Sequence, residues 1–223
     1  MSDDDGEHLS ERIEVRRLQA GLPLEELARE LLPRPVERPW AALRGSFEAA
    51  RGSFDDQRYG DAGREYEASL RELAASRWSE HPDVFDHRFE AVARLGWIGL
   101  HSGALDEARA RLEEARWLLL EHRPGSAERS LVEIAIGLAG VRIDRFDPDG
   151  ADQLLTGLGA DLVDAALQPG APAGERMIAI GLLGARRRID QLRGDSPSAL
   201  MRQELIVALS PTSQRARDRK RVV

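Results

Sequence analysis

The sequence predicts an all-α protein: an antiparallel stack of about four helix pairs, a helical hairpin stack with a short N-terminal helical extension. Three observations carry that expectation. Ala, Leu, Arg and Glu dominate while aromatic residues make up only 5% of the chain, a balance that favours helices over strands. Apolar residues recur at steps of three and four from about residue 39 to residue 209, and no segment alternates with period two. Clusters of turn formers ("RYG", "SEHP", "SGA", "RPGS", "DPDG", "QPGAPAG", "RGDSPS") interrupt that run. Connections this short make neighbouring helices antiparallel.

In chain order, residues 1–38 are expected to hold an acidic tail and two short helices, "HLSERIEVRRLQAG" and "LPLEELARELL", joined at Gly21. Pro33, Pro35 and Pro39 then break the chain, because proline lacks the amide hydrogen and clashes with the preceding turn. Residues 39–209 form the helical-repeat domain. Its helices are expected near Pro39–Gln57, Asp61–Trp78, Pro82–Ser102, Leu105–His122, Ser126–Phe146, Asp149–Leu167, Ala173–Arg193 and Pro197–Leu209. The tail, residues 210–223, loses apolar periodicity, carries a basic run and is expected to be disordered.

Self-similarity organises the central domain. Ala62, Ala108, Ala151 and Ala199 correspond at intervals of 46, 43 and 48 residues. Tyr66, Leu112, Leu155 and Gln203 follow one turn later, then Ser69, Ala115, Leu158 and Ile206. Ala50, Gly96 and Ala139 lie twelve residues before the first three alanines, with Arg187 at that place in the fourth pair. Gly103 and Gly194 sit at bends where a side chain would oppose the backbone. Small residues let two helices approach, larger ones fill the groove one turn away, and pairs that cannot bury both faces must stack.

Leu95, Gly96, Gly103, Ala108, Leu112 and Ala115 resemble the tetratricopeptide repeat family (TPR-like) in order and spacing, with Ala50, Tyr59, Ala62 and Tyr66 as a second match. The family's repeat is about 34 residues, so the helices here are longer. The resemblance implies an α-solenoid whose first helices line a concave side and bind an extended peptide or helix of a protein partner. Carried over repeat by repeat, it points to Phe47, Arg51, Phe54 and Asp55, then Glu90, Trp97, Leu100 and His101. The third repeat offers Glu133, Ile136, Ile143 and Asp144, and the fourth Arg188 and Gln191. Trp97 is the first residue to test, since Trp is favoured at hot spots; the alternative is a core tryptophan between two hairpins.

Other chemistry is sparse. Cysteine is absent, which removes disulfides, thiolate metal sites and a cysteine nucleophile. Asp83 and His87 lie one turn apart and could share a metal, but "SEHPDVFDH" also reads as a helix start, with Ser79 and Glu80 capping. The aspartates of "DRFDPDGAD" lack the spacing of a calcium loop and read as a turn that caps the next helix. "GLG" at 157–159 follows no strand, and no GxSxG or HExxH motif occurs. The expectation is a non-enzymatic scaffold or adaptor without a metal or cofactor.

A net charge of −7 speaks against a dedicated nucleic-acid binder. The acidic N-terminus is the reverse of a signal peptide, and no apolar run is long enough to span a membrane, so a cytoplasmic protein is expected. The Arg- and Ala-rich, Lys-poor composition suggests a bacterial, GC-rich source and a place in a multi-component assembly. The rival reading is a nucleic-acid-linked regulator. "RRLQAGLPLEELARELL" resembles the opening of a helix-turn-helix without its recognition helix. Arg186, Arg187 and Arg188, with Arg217, Arg219, Lys220 and Arg221 of the tail, would supply basic contacts.

Overall fold

The computed structural model describes residues 39–81, 83–122 and 128–210, with the backbone alone at residues 79, 80, 128 and 160. The chain divides into a unit Met1–Ala42 and a unit Leu43–Val223. Only residues 39–42 of the first are described, so the account concerns the second. The helices expected before residue 39, and the basic residues beyond Ser210, lie outside the described residues.

Nine α-helices and no strand occur among the described residues. They are α1 Trp40–Asp55, α2 Tyr59–Ala74, α3 Val84–Ser102, α4 Leu105–His122 and α5 Glu128–Asp144, followed by α6 Pro148–Leu155, α7 Ala160–Leu167, α8 Ala173–Arg193 and α9 Ser196–Leu209. Two differ from expectation. α2 ends at Ala74 instead of Trp78, and the Ser76 hydroxyl accepts from the Trp78 amide to open a 3₁₀ turn, Arg77–Glu80. The helix expected over Asp149–Leu167 is two helices, because Gly157 and Gly159 take left-handed φ values of 74° and 70°. Arg186 secures the break by donating to the carbonyls of Leu155 and Leu158, both at 3.0 Å.

Four hairpin bends share one construction. Gln57, Gly103, Phe146 and Gly194 all have positive φ, at 60°, 78°, 59° and 76°, and their spacing repeats that of the four alanines. At each bend the left-handed residue donates to the carbonyl three residues back. The next amide donates to the carbonyl five residues back: Arg58 to Ser53, Ala104 to Gly99, Asp147 to Arg142 and Asp195 to Asp190, at 2.8–2.9 Å. This Schellman pattern satisfies carbonyls that a helix end leaves open. The residue after each bend then accepts from the amide of Ala62, Ala108, Ala151 or Ala199. Those alanines are buried, so bend and close contact form one unit.

Within the second pair, close approach is literal. A Cβ on Gly96 would stand 2.6 Å from Leu112 Cγ, and one on Gly99 would stand 3.0–3.1 Å from the backbone and Cβ of Ala108. Gly137 of α5 meets Leu112 from the other side, with 2.9 Å left for a Cβ. Leu112 is thus fully buried between two helices that carry glycine opposite it.

Each pair then rests on the next: α2 and α4 pack on α3 and α5, α3 packs on α5, and α5 and α6 pack on α8. α5 is the central element. Its Ile134, Leu138 and Val141 join Val92 and Leu112 in one core cluster, while Val132, Ala139 and Ile143 join Leu155, Leu182 and Ile189 in another. A helix buried on opposite faces must be apolar nearly all round, and residues 134–141 are all buried. α7 fits against α8 and α9, where Ala166, Ala179, Leu183 and Leu209 form a third cluster.

Candidate functional site

Between Ser130 and Val141 of α5, the only charged residue is Glu133. It stands beside two abutting cavities that share Glu133, Arg94 and Trp97. The first, about 280 Å³, is lined by Phe54 of α1, Tyr59 of α2, Trp97 and His101 of α3, Ile136 of α5, and Met177, Ile178 and Gly181 of α8. The second, about 240 Å³, adds Asp86, Phe89, Glu90, Ala93, Ser130 and Ile134. One groove therefore collects side chains from every first helix of the four pairs, α1, α3, α5 and α8.

Aromatic rings build one wall. Phe54 meets Tyr59 edge-on with centroids 5.4 Å apart, Tyr59 lies 4.8 Å from the His101 ring, and His101 lies 6.5 Å from Trp97. A ring nitrogen of His101 hydrogen-bonds the Trp97 carbonyl at 2.8 Å, which fixes the imidazole along its own helix. The Arg94 guanidinium covers the Phe54 ring at 4.5 Å, within cation–π range. Trp97 is half-buried and packs against both core clusters flanking α5 while lining both cavities. Trp97 thus belongs to the packing between hairpins and also borders open space.

The charges are arranged unevenly. Arg51 of α1 grips Glu90 of α3 through both carboxylate oxygens, Nε to Oε1 at 2.7 Å and Nη2 to Oε2. Arg94 adds a longer contact to the same carboxylate at 3.9 Å. Glu133 has no hydrogen bond or ion pair among the described residues. The groove walls crowd its solvent-reached carboxylate, and this desolvation raises its pKa against the opposing pull of Arg94 and Arg129. Arg129 is itself held by Glu175 at 2.6 Å.

The structure brings Phe54, Trp97, His101, Glu133 and Ile136 together at the groove, with Glu90 and its partner Arg51 alongside. Phe47 and Ile143 are core residues, 3% exposed each, and offer a partner no surface. Leu100 packs toward α5, where a Cβ on Gly140 would meet it at 3.0 Å. Asp55 is exposed at the end of α1. Asp144 pairs with Arg188 between α5 and α8, and Gln191 is exposed on α8.

The arginine run of α8 is not gathered into a free cationic patch. Arg186 holds the α6–α7 break, Arg187 bonds to Gln203 and Arg188 to Asp144. The aspartate-rich turn works as a cap: Asp147 accepts from the Gly150 amide at 2.9 Å and pairs with Arg142, which together hold its carboxyl below the usual range. Asp149 and Asp152 pair with Arg193. In "SEHPDVFDH", His87 stacks on Phe47 and the His81 ring accepts from the Asp83 amide. The Asp83 side chain makes no capping bond, and the side chains of Ser79 and Glu80 lie outside the described residues.

Sequence reasoning missed Tyr59, Arg94, Met177, Ile178 and Gly181. Tyr59 begins a second helix, whereas the resemblance points to first-helix residues alone. The α8 residues belong to the pair whose repeat signature is weakest. Arg94 had a local signal, four residues after Glu90 and three before Trp97 on one helix face. No family model, no curated protein and no solved structure matches the chain.

Proposed function

We propose that this chain is a non-enzymatic adaptor: a tetratricopeptide-like stack of four hairpins that binds an extended segment of a partner protein along the groove of its first helices. The observation that carries the reading is the common cavity to which α1, α3, α5 and α8 all contribute. Such a surface is shared between repeats and lengthens with their number, which suits an extended chain better than a compact substrate. Half-buried aromatics beside a few convergent polar groups supply the anchoring chemistry of protein recognition. Among the described residues no group of three or more His, Asp or Glu could hold a metal ion, and no helix is long and apolar enough to cross a membrane.

The test is recovery of a protein partner by affinity purification of the full chain, repeated with Met177→Lys and Trp97→Ala. Met177 is 62% exposed, so its substitution leaves the fold intact while placing a charge in the groove. Loss of the partner with both variants supports the adaptor. Retention with both variants overturns the groove, and salt-sensitive binding of random DNA or RNA that vanishes without residues 210–223 replaces the adaptor with the nucleic-acid reading.

A further inference from the structure

The four pairs can be superposed by their own spacing, and this comparison singles out Glu133. Counting back 43 residues, Glu133 corresponds to Glu90; counting back 46, Trp97 corresponds to Arg51. In the first interval the chain supplies its own cation, and Arg51 of α1 forks the Glu90 carboxylate of α3. In the next interval the carboxylate is kept, but the residue facing it from the preceding first helix is tryptophan. Glu133 is thus an acid whose repeat-equivalent partner has been replaced by an aromatic ring.

The other cations nearby are already committed. Arg94 lies over Phe54 and reaches toward Glu90, and Arg129 holds Glu175. The charged side chains lining the two cavities are Asp86, Glu90, Glu133 and Arg94, an acidic balance.

We infer that the groove takes a cationic side chain, arginine ahead of lysine, from the bound segment of the partner protein, seated on Trp97 with its charge on Glu133. The ligand then supplies across the second and third pairs the guanidinium that Arg51 supplies across the first and second. Arginine suits the place because its planar group stacks on an indole face and forks a carboxylate at once. Met177 and Ile136 provide apolar contact for the methylene stem. The inference rests on the adaptor reading, since it names what the proposed groove selects.

The experiment is selection of random dodecapeptides displayed on phage against the full chain, and against Glu133→Gln and Glu133→Lys. Glu133 is exposed, so both variants fold, and coincident thermal melts verify it. The wild type is expected to enrich peptides with arginine, and to a lesser degree lysine, at one fixed position flanked by apolar residues. Glu133→Gln should weaken such a peptide about tenfold, and Glu133→Lys should reverse the preference toward Asp or Glu. Groove-dependent peptides with no basic residue at a fixed position, or a basic preference unchanged by Glu133→Gln, overturn the inference and leave the adaptor reading standing. If no selected peptide is lost on Met177→Lys, which sets a like charge against the incoming cation, the adaptor reading itself fails, and the inference with it.

Discussion

Phe146→Gly should make the protein more stable, although it removes the larger side chain. Phe146 holds φ at 59° at the bend between α5 and α6, and the residue is 81% exposed. The left-handed conformation costs a residue with a Cβ about 1–2 kcal/mol. Glycine removes that penalty but loses roughly 0.5–1 kcal/mol through its greater freedom in the unfolded chain. Little packing is forfeited by so exposed a ring, so the net gain is about 0.5–1 kcal/mol, a rise in Tm of roughly 2 °C for a domain of this size. Thermal unfolding followed by circular dichroism reads the change, with Phe146→Ala as the companion variant. Alanine deletes the ring but keeps the Cβ, so its Tm should stay near that of the wild type. The opposite exchange, Gly103→Ala, should destabilise by about 1 kcal/mol. A Phe146→Gly protein that melts below wild type, or an alanine variant that gains as much as the glycine one, would refute the idea that all four bends share one backbone requirement.

Other consequences are equally specific. Gly96→Ala should lower stability by about 1–2 kcal/mol because its Cβ meets Leu112 at 2.6 Å. Gly45→Ala, with nothing within 4 Å, should raise stability by up to about 1 kcal/mol in the same denaturation assay; equal signs would contradict the close-approach account. Asp190 is 7% exposed and pairs with Arg202 of α9 at 2.5 Å. Asp190→Ala should therefore cost about 2 kcal/mol by leaving a half-buried arginine unpaired, and an unchanged urea midpoint would argue against this link. Burial first, then Arg51, lowers the pKa of His87 from the ordinary 6.5. A lowered pKa means the unfolded chain takes the proton first. The His87 contribution to stability is present above pH 6.5 and lost as the pH falls toward the folded-state pKa. An NMR titration placing the folded pKa above 6.5 would reverse that sign.

Much of the fold was legible because turn formers fall between helices whose apolar stripes are long. The α3–α4 boundary at Gly103 and the α8–α9 boundary at Gly194 carry glycine where the backbone is left-handed, so sequence and geometry agree there. Gln57 and Phe146 meet the same backbone demand without the residue that advertises it, and their equivalence emerges only from the dihedral angles and hydrogen bonds. The α6–α7 break was hidden because "GLG" lies in an otherwise helical pattern, and because the donor that secures it, Arg186, comes from a distant helix.

The groove was legible in part. Trp97, His101 and Glu133 fall at positions that the family resemblance assigns to the concave side. The same carry-over also names Phe47 and Ile143, which the close stacking of neighbouring pairs buries. Whether a marked position faces solvent depends on how far two first helices stand apart, a quantity set by side chains on both.

The most direct test of the account places a photo-crosslinking amino acid at Met177, 62% exposed in the groove, and separately at Trp117, 56% exposed on α4, which lines neither groove cavity. The two sites present similar exposure on different faces. The account predicts a discrete protein adduct from position 177, competed by an arginine-containing groove peptide, and none from position 117. An adduct confined to position 117, or equal labelling from both, would contradict it.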